Sequence, residues 1–216
     1  MKQKPAEIIR EYGPFPGVDA VHGVSFDGQR VWFASGDRLN ALDPESGEIV
    51  GTLDVAADAG TAFDGRHLFQ LAGTVIRKID PQTGEVLGTV EVPGLGGASG
   101  LAWAEGTLWI GQYDDGRIHQ VDPETGAVLR TVESSRFVTG VTWVDGQLWH
   151  GTWQDEVGDV RRIDPETGEV LERLVMPAGV EVSGLEADRS NRMFCGGGSS
   201  RKVRVIRRPG SSGATP

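Results

Sequence analysis

Three observations predict an all-β fold, a five-bladed β-propeller closed by its N-terminal strand pairing into the C-terminal blade. A hairpin signature, Asp-Pro-x-Ser/Thr-Gly, recurs with its prolines at 44, 81, 123 and 165; a near-constant period of this size marks a repeat architecture. A strand led by glycine recurs five times, at Gly23, Gly60, Gly100, Gly140 and Gly184. The fifth cycle stops one strand short, while residues 5–17 carry a strand that belongs to no cycle. The competing arrangement, an open β-solenoid, has no use for a displaced terminal strand.

In chain order, residues 5–17 resemble the second half of a repeat, Gly84 to Gly94, and read as a lone outer strand. Four full cycles follow. Each opens on a glycine-led strand such as Gly100-Leu101-Ala102-Trp103. An acidic-Gly turn comes next: Asp27-Gly28, Asp64-Gly65, Glu105-Gly106 or Asp145-Gly146. The second strand is aromatic, as in Val31-Trp32-Phe33 and Leu148-Trp149-His150. The third ends in Asp-Pro, where proline presets φ and the aspartate caps the following N–H groups. Glycine then supplies the positive φ that closes the hairpin, and the fourth strand leaves antiparallel. The fifth cycle runs from Gly184 through Met193-Phe194-Cys195 to Val203-Arg204-Val205, with Arg208-Pro209 in place of Asp-Pro. Its missing fourth strand is filled by the orphan N-terminal one, which removes the open ring edge. Residues 1–209 form one domain, and 210–216, Gly-Ser-Ser-Gly-Ala-Thr-Pro, are a disordered tail by composition.

The formal charge is −10. That argues against nucleic acid, which needs a basic surface, and against an anionic membrane. No apolar run approaches the roughly 18 residues of a membrane span, and Met1 to Glu7 show no apolar leader after their lysines. The expectation is a cytoplasmic monomer without cofactor, whose partner is a small molecule or peptide terminus. Cys195 is the single cysteine, so no intrachain disulfide forms.

Antiparallel geometry places the site. The residues before the leading glycines (His22, Ala59, Ser99, Thr139, Ser183) share one channel rim with the segments after the second strands. Such a rim is the default ligand site. Blades 3 and 4 carry the longer rim loops, Gly111 to Asp115 and Gly151 to Glu156, where Tyr113 and Trp153 fall out of step with the core aromatics. His22 is a candidate general base, against a purely structural role at a strand start. Glu186 occupies the slot held elsewhere by Ser25, Ala62, Ala102 and Thr142. A carboxylate there would be desolvated, with a raised pKa suited to acid–base work; the competing reading is an ion pair with Arg189, Arg192, Arg201 or Arg204. His150 reads as a core or blade-interface residue, and His67 and His119 as surface residues. No histidine spacing suits a metal; Asp114-Asp115 and Asp155-Glu156 read as solvated acidic loops rather than a hard-cation site. The Gly-rich runs lack the Lys-Ser/Thr of a phosphate loop, and no Gly-x-Ser-x-Gly elbow occurs.

The fourth cycle, Leu148 to Asp155 followed by Val160-Arg161-Arg162-Ile163-Asp164-Pro165-Glu166-Thr167-Gly168-Glu169-Val170, resembles the plant- and bacterial-type glutaminyl cyclotransferases. The resemblance covers roughly residues 5–209 and implies a five-bladed propeller. It implies that Trp153 and Gln154 match the family's Trp-Gln on the substrate rim, and that His22 stands where the family has Gln. Ala57-Asp58-Ala59-Gly60 replaces the motif with the catalytic glutamate, Asp58 lying close but out of register. Thr139-Gly140-Val141-Thr142 replaces Asn-Glu-Leu-Glu. Two functional readings follow. One is an enzyme, cyclotransferase-like or streptogramin lyase-like, with His22, Glu186 or Asp58 as acid or base and Tyr113, Thr139, Trp153 and Gln154 holding substrate. The other is a non-catalytic module binding a ligand or protein segment on the same rim.

Overall fold

The computed structural model describes residues 1–92, 94 and 96–210. The predicted tail beyond Gly210 lies outside the described residues. Two short strands open the chain, β1 (Lys2–Pro5) and β2 (Ile8–Tyr12). Blade 1 comprises β3 (Val24–Phe26), β4 (Val31–Ala34), β5 (Leu39–Leu42) and β6 (Ile49–Leu53). Blade 2 comprises β7 (Thr61–Phe63), β8 (Leu68–Ala72), β9 (Val75–Ile79) and β10 (Val86–Glu91). Blade 3 holds β11 (Ala98–Ala104), β12 (Thr107–Gln112), β13 (Arg117–Val121) and β14 (Val128–Glu133). Blade 4 holds β15 (Val138–Val144), β16 (Gln147–Gln154), β17 (Val157–Ile163) and β18 (Val170–Val175). Blade 5 has β19 (Gly184–Ala187), β20 (Arg192–Gly196) and β21 (Val203–Arg207). Each set of strands is one antiparallel sheet in sequence order. No helix among the described residues is long and apolar enough to cross a membrane.

The fourth strand of blade 5 is β2, antiparallel to β21 with Ile8 opposite Ile206 and Tyr12 opposite Val203. Tyr12 is buried, and its hydroxyl donates to the Pro44 carbonyl at 2.7 Å, tying the closure strand to the Asp-Pro turn of blade 1. One feature of the N-terminus was not expected. β1 adds a fifth, parallel strand to blade 4, with Lys2 opposite Glu172 and Pro5 opposite Val175. An ion pair from Lys4 to Glu172 at 2.8 Å holds it. The N-terminus therefore bridges two blades.

The repeated hairpins form as their residues dictate. In the third, Asp122 Oδ1 accepts the N–H groups of Glu124 and Thr125 at 2.8 and 3.0 Å, and Gly126 N–H donates to the Asp122 carbonyl. Gly126 has φ +71°. Between blades, an aromatic of one second strand faces an aromatic at or next to the end of the next first strand. Phe69 stacks on Trp103 at 5.1 Å, Trp109 on Trp143 at 5.3 Å, and Phe194 meets Phe26 at 5.4 Å.

The leading glycines close the ring. A Cβ on Gly60 would collide with backbone of Gly100 and Leu101, one on Gly100 with Gly140 and Val141, and one on Gly140 with Gly184 and Leu185. Gly184 in turn abuts His22 to Val24, and Gly23 abuts Ala59 to Thr61. Each blade thus presses its glycine against the next around the channel.

Three histidines can be compared with expectation. His150 is a core residue, as read: it is fully buried, and burial pulls its imidazole down to about 4. His67 and His119 are half-buried rather than surface residues. His67 is held by Asp64 across the turn. His119 is clamped between Thr131 Oγ1 at 2.8 Å and Gln112 Oε1 at 2.7 Å. Paired polar neighbours draw each ring into its blade.

Candidate functional site

The glycine ring divides the channel into an upper mouth, where first strands begin, and a lower mouth, where they end. At the upper mouth lies a cavity of about 210 Å³ lined by Ser99, Tyr113, Thr139, Trp153, Glu181 and Ser183. Ser99, Thr139 and Ser183 each precede a leading glycine, so the repeat itself delivers them. Tyr113 and Trp153 are the two out-of-step aromatics.

Their positioning differs from a loop in one respect. β16 runs through Gln154 and pairs with β17 across Asp155-Glu156, both at positive φ of 55° and 59°. The tight turn extends the blade 4 hairpin past the core, and Trp153 projects from a strand. Tyr113 donates its hydroxyl to the Trp153 carbonyl at 3.3 Å and stacks on Phe137 at 4.8 Å. Burial raises the Tyr113 phenol above its ordinary range, with smaller contributions from the Asp114 and Glu181 charges.

The two serines serve the fold. Ser99 Oγ donates to the Val138 carbonyl of the next blade, and Ser183 Oγ to the carbonyls of Val21 and His22. Two polar groups remain. The Thr139 hydroxyl is buried and has no hydrogen-bond partner among the described residues, its residue being 5% exposed. The Glu181 carboxylate, half-buried, makes no hydrogen bond or ion pair among the described residues. It occupies the space where a Cβ on Gly198 would stand. A buried orphan hydroxyl costs about 1–3 kcal/mol unless something satisfies it.

Glu181 is the residue that sequence reasoning missed. It stands three positions before Gly184, as Phe137 stands three before Gly140. Carrying the repeat alignment three residues upstream reaches both.

The other candidates lie apart. Gln154 faces a neighbouring depression with Asp114, Asp115 and Arg136, and its carbonyl accepts from Arg136 Nη2 at 2.8 Å. Asp58 is exposed and accepts the Gly73 N–H at 3.2 Å, capping the turn between β8 and β9. His22 uses its backbone, its N–H donating to Ala34 within blade 1 and its carbonyl accepting from Ser183 of blade 5; its imidazole makes no hydrogen bond among the described residues and does not line the cavity. Glu186 lies one layer below the glycine ring, on the far side from Trp153. Its carboxylate accepts from Thr142 Oγ1 at 2.9 Å, Ala187 N–H at 3.0 Å and Ser25 Oγ at 3.5 Å. Its side chain is half-buried, and burial pushes its carboxyl from 4.5 up to about 8 against those hydrogen bonds. No arginine reaches it: Arg192 pairs with Asp188 and Arg204 with Glu11. Among the described residues no group of three or more His, Cys, Asp or Glu side chains is placed to hold a metal.

Residues 71–210, more than half of the chain, match the PQQ_2 family model, described as outer membrane protein assembly factor BamB. The chain belongs to this family. Among solved structures, this BamB-family propeller is similar to the Myxococcus xanthus glutaminyl cyclase, at 21% identity and TM-score 0.76, over 95% of this chain and 97% of that one. It is also similar to Kuenenia stuttgartiensis hydrazine synthase (17%, TM-score 0.52, 82% of this chain and 55% of that one). A third likeness is to the WD40 β-propeller domain of Doa1 (21%, TM-score 0.55, 87% and 64%). These likenesses show the propeller fold. No curated protein matches the chain.

Proposed function

We propose that this BamB-family propeller is a ligand-binding module whose upper pocket takes a primary amine, either the amino terminus of a peptide or that of a small molecule. The observation that carries this reading is the unpaired Glu181 carboxylate beside Tyr113 and Trp153. An ammonium group would pair with the carboxylate and sit against aromatic faces, which attract cations. The orphan Thr139 hydroxyl, which both donates and accepts, supplies a second fixed point for a neighbouring carbonyl or amide. Ser99 and Ser183 shape the wall with their hydroxyl protons already committed to backbone carbonyls.

A second reading, glutaminyl cyclotransferase-like catalysis, is favoured by the near-complete structural overlap with the M. xanthus glutaminyl cyclase. In that case Glu181 is the acid–base group, since His22, Asp58 and Glu186 do not converge on the pocket. The family description, an assembly factor, favours the binding reading.

The test is calorimetry with short peptides that differ only in N-terminal acetylation. The free amino terminus should bind, the acetylated form should not, and Glu181→Gln should weaken binding about tenfold or more. Equal binding of both peptides overturns the amine reading. Ammonia release from an N-terminal glutaminyl peptide, present in wild type and lost in Glu181→Gln, would move the assignment to the enzyme.

A further inference from the structure

A cavity larger than the one at the upper mouth lies on the other side of the glycine ring. A space of about 700 Å³ opens at the lower mouth, between the first-strand ends of blades 1, 2, 4 and 5. One small residue sets its wall apart. At equivalent register positions, opposite Val31, Leu68, Leu108, Leu148 and Met193 of the second strands, stand Phe26, Phe63, Trp103, Trp143 and Ala187. In three interfaces that aromatic packs on an aromatic of the preceding blade's second strand, stacked for Trp103 and Trp143 and tilted for Phe26. In a fourth, Phe63 packs on the cluster that contains Trp32. Only blade 5 presents alanine, on the cluster that contains Trp149. The cavity lies beside Ala187, between Trp143 and Phe26, while Trp149 stays covered and does not line it. Both flanking rings are fixed by their own packing partners, so the walls are preorganised.

The charges at this mouth are spoken for, with one exception. Asp27 accepts from the Trp32 indole N–H at 2.7 Å and from the Gln29 and Arg30 N–H groups. Asp145 pairs with Arg208 at 2.8 Å, and Asp188 with Arg192 at 2.6 Å. Arg189 lines the cavity, is exposed, and has no partner among the described residues. The group left free to meet a ligand is therefore a guanidinium, whose forked donors match a carboxylate or a tetrahedral oxyanion.

We propose that the lower mouth is a second binding site, for a planar aromatic ring carrying a carboxylate or sulfonate. The ring lies beside Ala187 against Trp143 and Phe26, and the anionic group pairs with Arg189. This site is independent of the upper pocket: the glycine ring lies between them, and its ligand has the opposite charge.

Titration calorimetry of the whole chain with naphthalene-2-sulfonate, and with neutral 2-naphthol as comparator, tests this. The sulfonate should bind saturably and more tightly than the naphthol. Arg189→Ala, a surface change, should weaken the sulfonate about tenfold and leave the naphthol unchanged. Ala187→Phe, which restores the missing aromatic, should abolish binding of both while retaining a cooperative melt. The proposal fails if the sulfonate does not bind at millimolar concentration. It fails equally if Arg189→Ala leaves its affinity unchanged, or if Trp153→Ala at the upper mouth removes binding instead.

Discussion

Glu186 and His150 are both held in their uncharged forms, and their linkages to pH have opposite signs. The Glu186 carboxyl stands at about 8 in the folded protein against 4.5 for the free group. Between those values the folded state keeps a proton that the unfolded chain has lost, so stability falls as pH rises from 4.5 to 8. The His150 imidazole stands at about 4 against 6.5. There the unfolded chain binds the extra proton, so stability rises with pH from 4 to 6.5. In the overlap the two slopes oppose each other. Glu186→Gln should therefore reveal the histidine's slope below pH 6.5 and abolish the loss toward pH 8. His150→Gln should reveal the glutamate's fall, each slope on the order of 1 kcal/mol per pH unit at most. Urea unfolding at half-unit steps reads this directly, and parallel profiles for wild type and both variants would refute it. The sequence marked both residues because each breaks a repeat: Glu186 among small residues, His150 after an aromatic. Repeat alignment reaches the position of Glu181 but not its role, which it gains only where Gly198 leaves it room.

At the scale of elements, the Asp-Pro hairpins were legible because every interaction in them is local. Asp80, Asp122 and Asp164 each accept N–H groups two and three residues on, and those hydrogen bonds hold their carboxyls below the usual range. β2 was legible as a displaced fourth strand. β1 was not, since Lys2-Gln3-Lys4-Pro5 is exposed at every position and has no apolar alternation. It forms because blade 4 leaves an edge on which Glu172, opposite Lys2, is within ion-pair reach of the Lys4 side chain. The two strands should therefore behave differently on truncation. Removing residues 1–6 takes away an exposed edge strand and one partly exposed ion pair, and should lower stability by about 1 kcal/mol or less. Removing residues 1–13 also takes Tyr12 from the core and uncovers β21. It should lower the melting temperature by ten degrees or more on the order-of-magnitude relation between stability and Tm, with aggregation from the opened edge. Calorimetry of both truncations decides it; equal melting temperatures would mean that β2 does not close the ring.

For the whole molecule, the closed ring depends on five glycines that touch across blades. Gly140→Ala would drive a methyl into the backbone of Gly184 and Leu185. No side chain can move aside there, so the substitution should abolish cooperative folding or lower the melting temperature more than any outer-strand change. Gly51→Ala is the matched control, because its Cβ would meet nothing closer than the Ala41 Cβ at 3.7 Å. Circular-dichroism melts of the pair test the claim, and similar melts would refute it. By itself the sequence determined the repeat, the number of blades and the hairpins, and it marked Ser99, Tyr113, Thr139, Trp153 and Ser183 of the upper cavity but not Glu181. It could do so because period, turn chemistry and strand alternation are properties of neighbouring residues. Only the tertiary structure decided what the channel contains. The glycine ring separates Glu186 from Trp153, Gly198 makes space for Glu181, and the lower cavity lies beside Ala187. Each of these depends on backbones from different blades meeting in space, and no local pattern records such a distance.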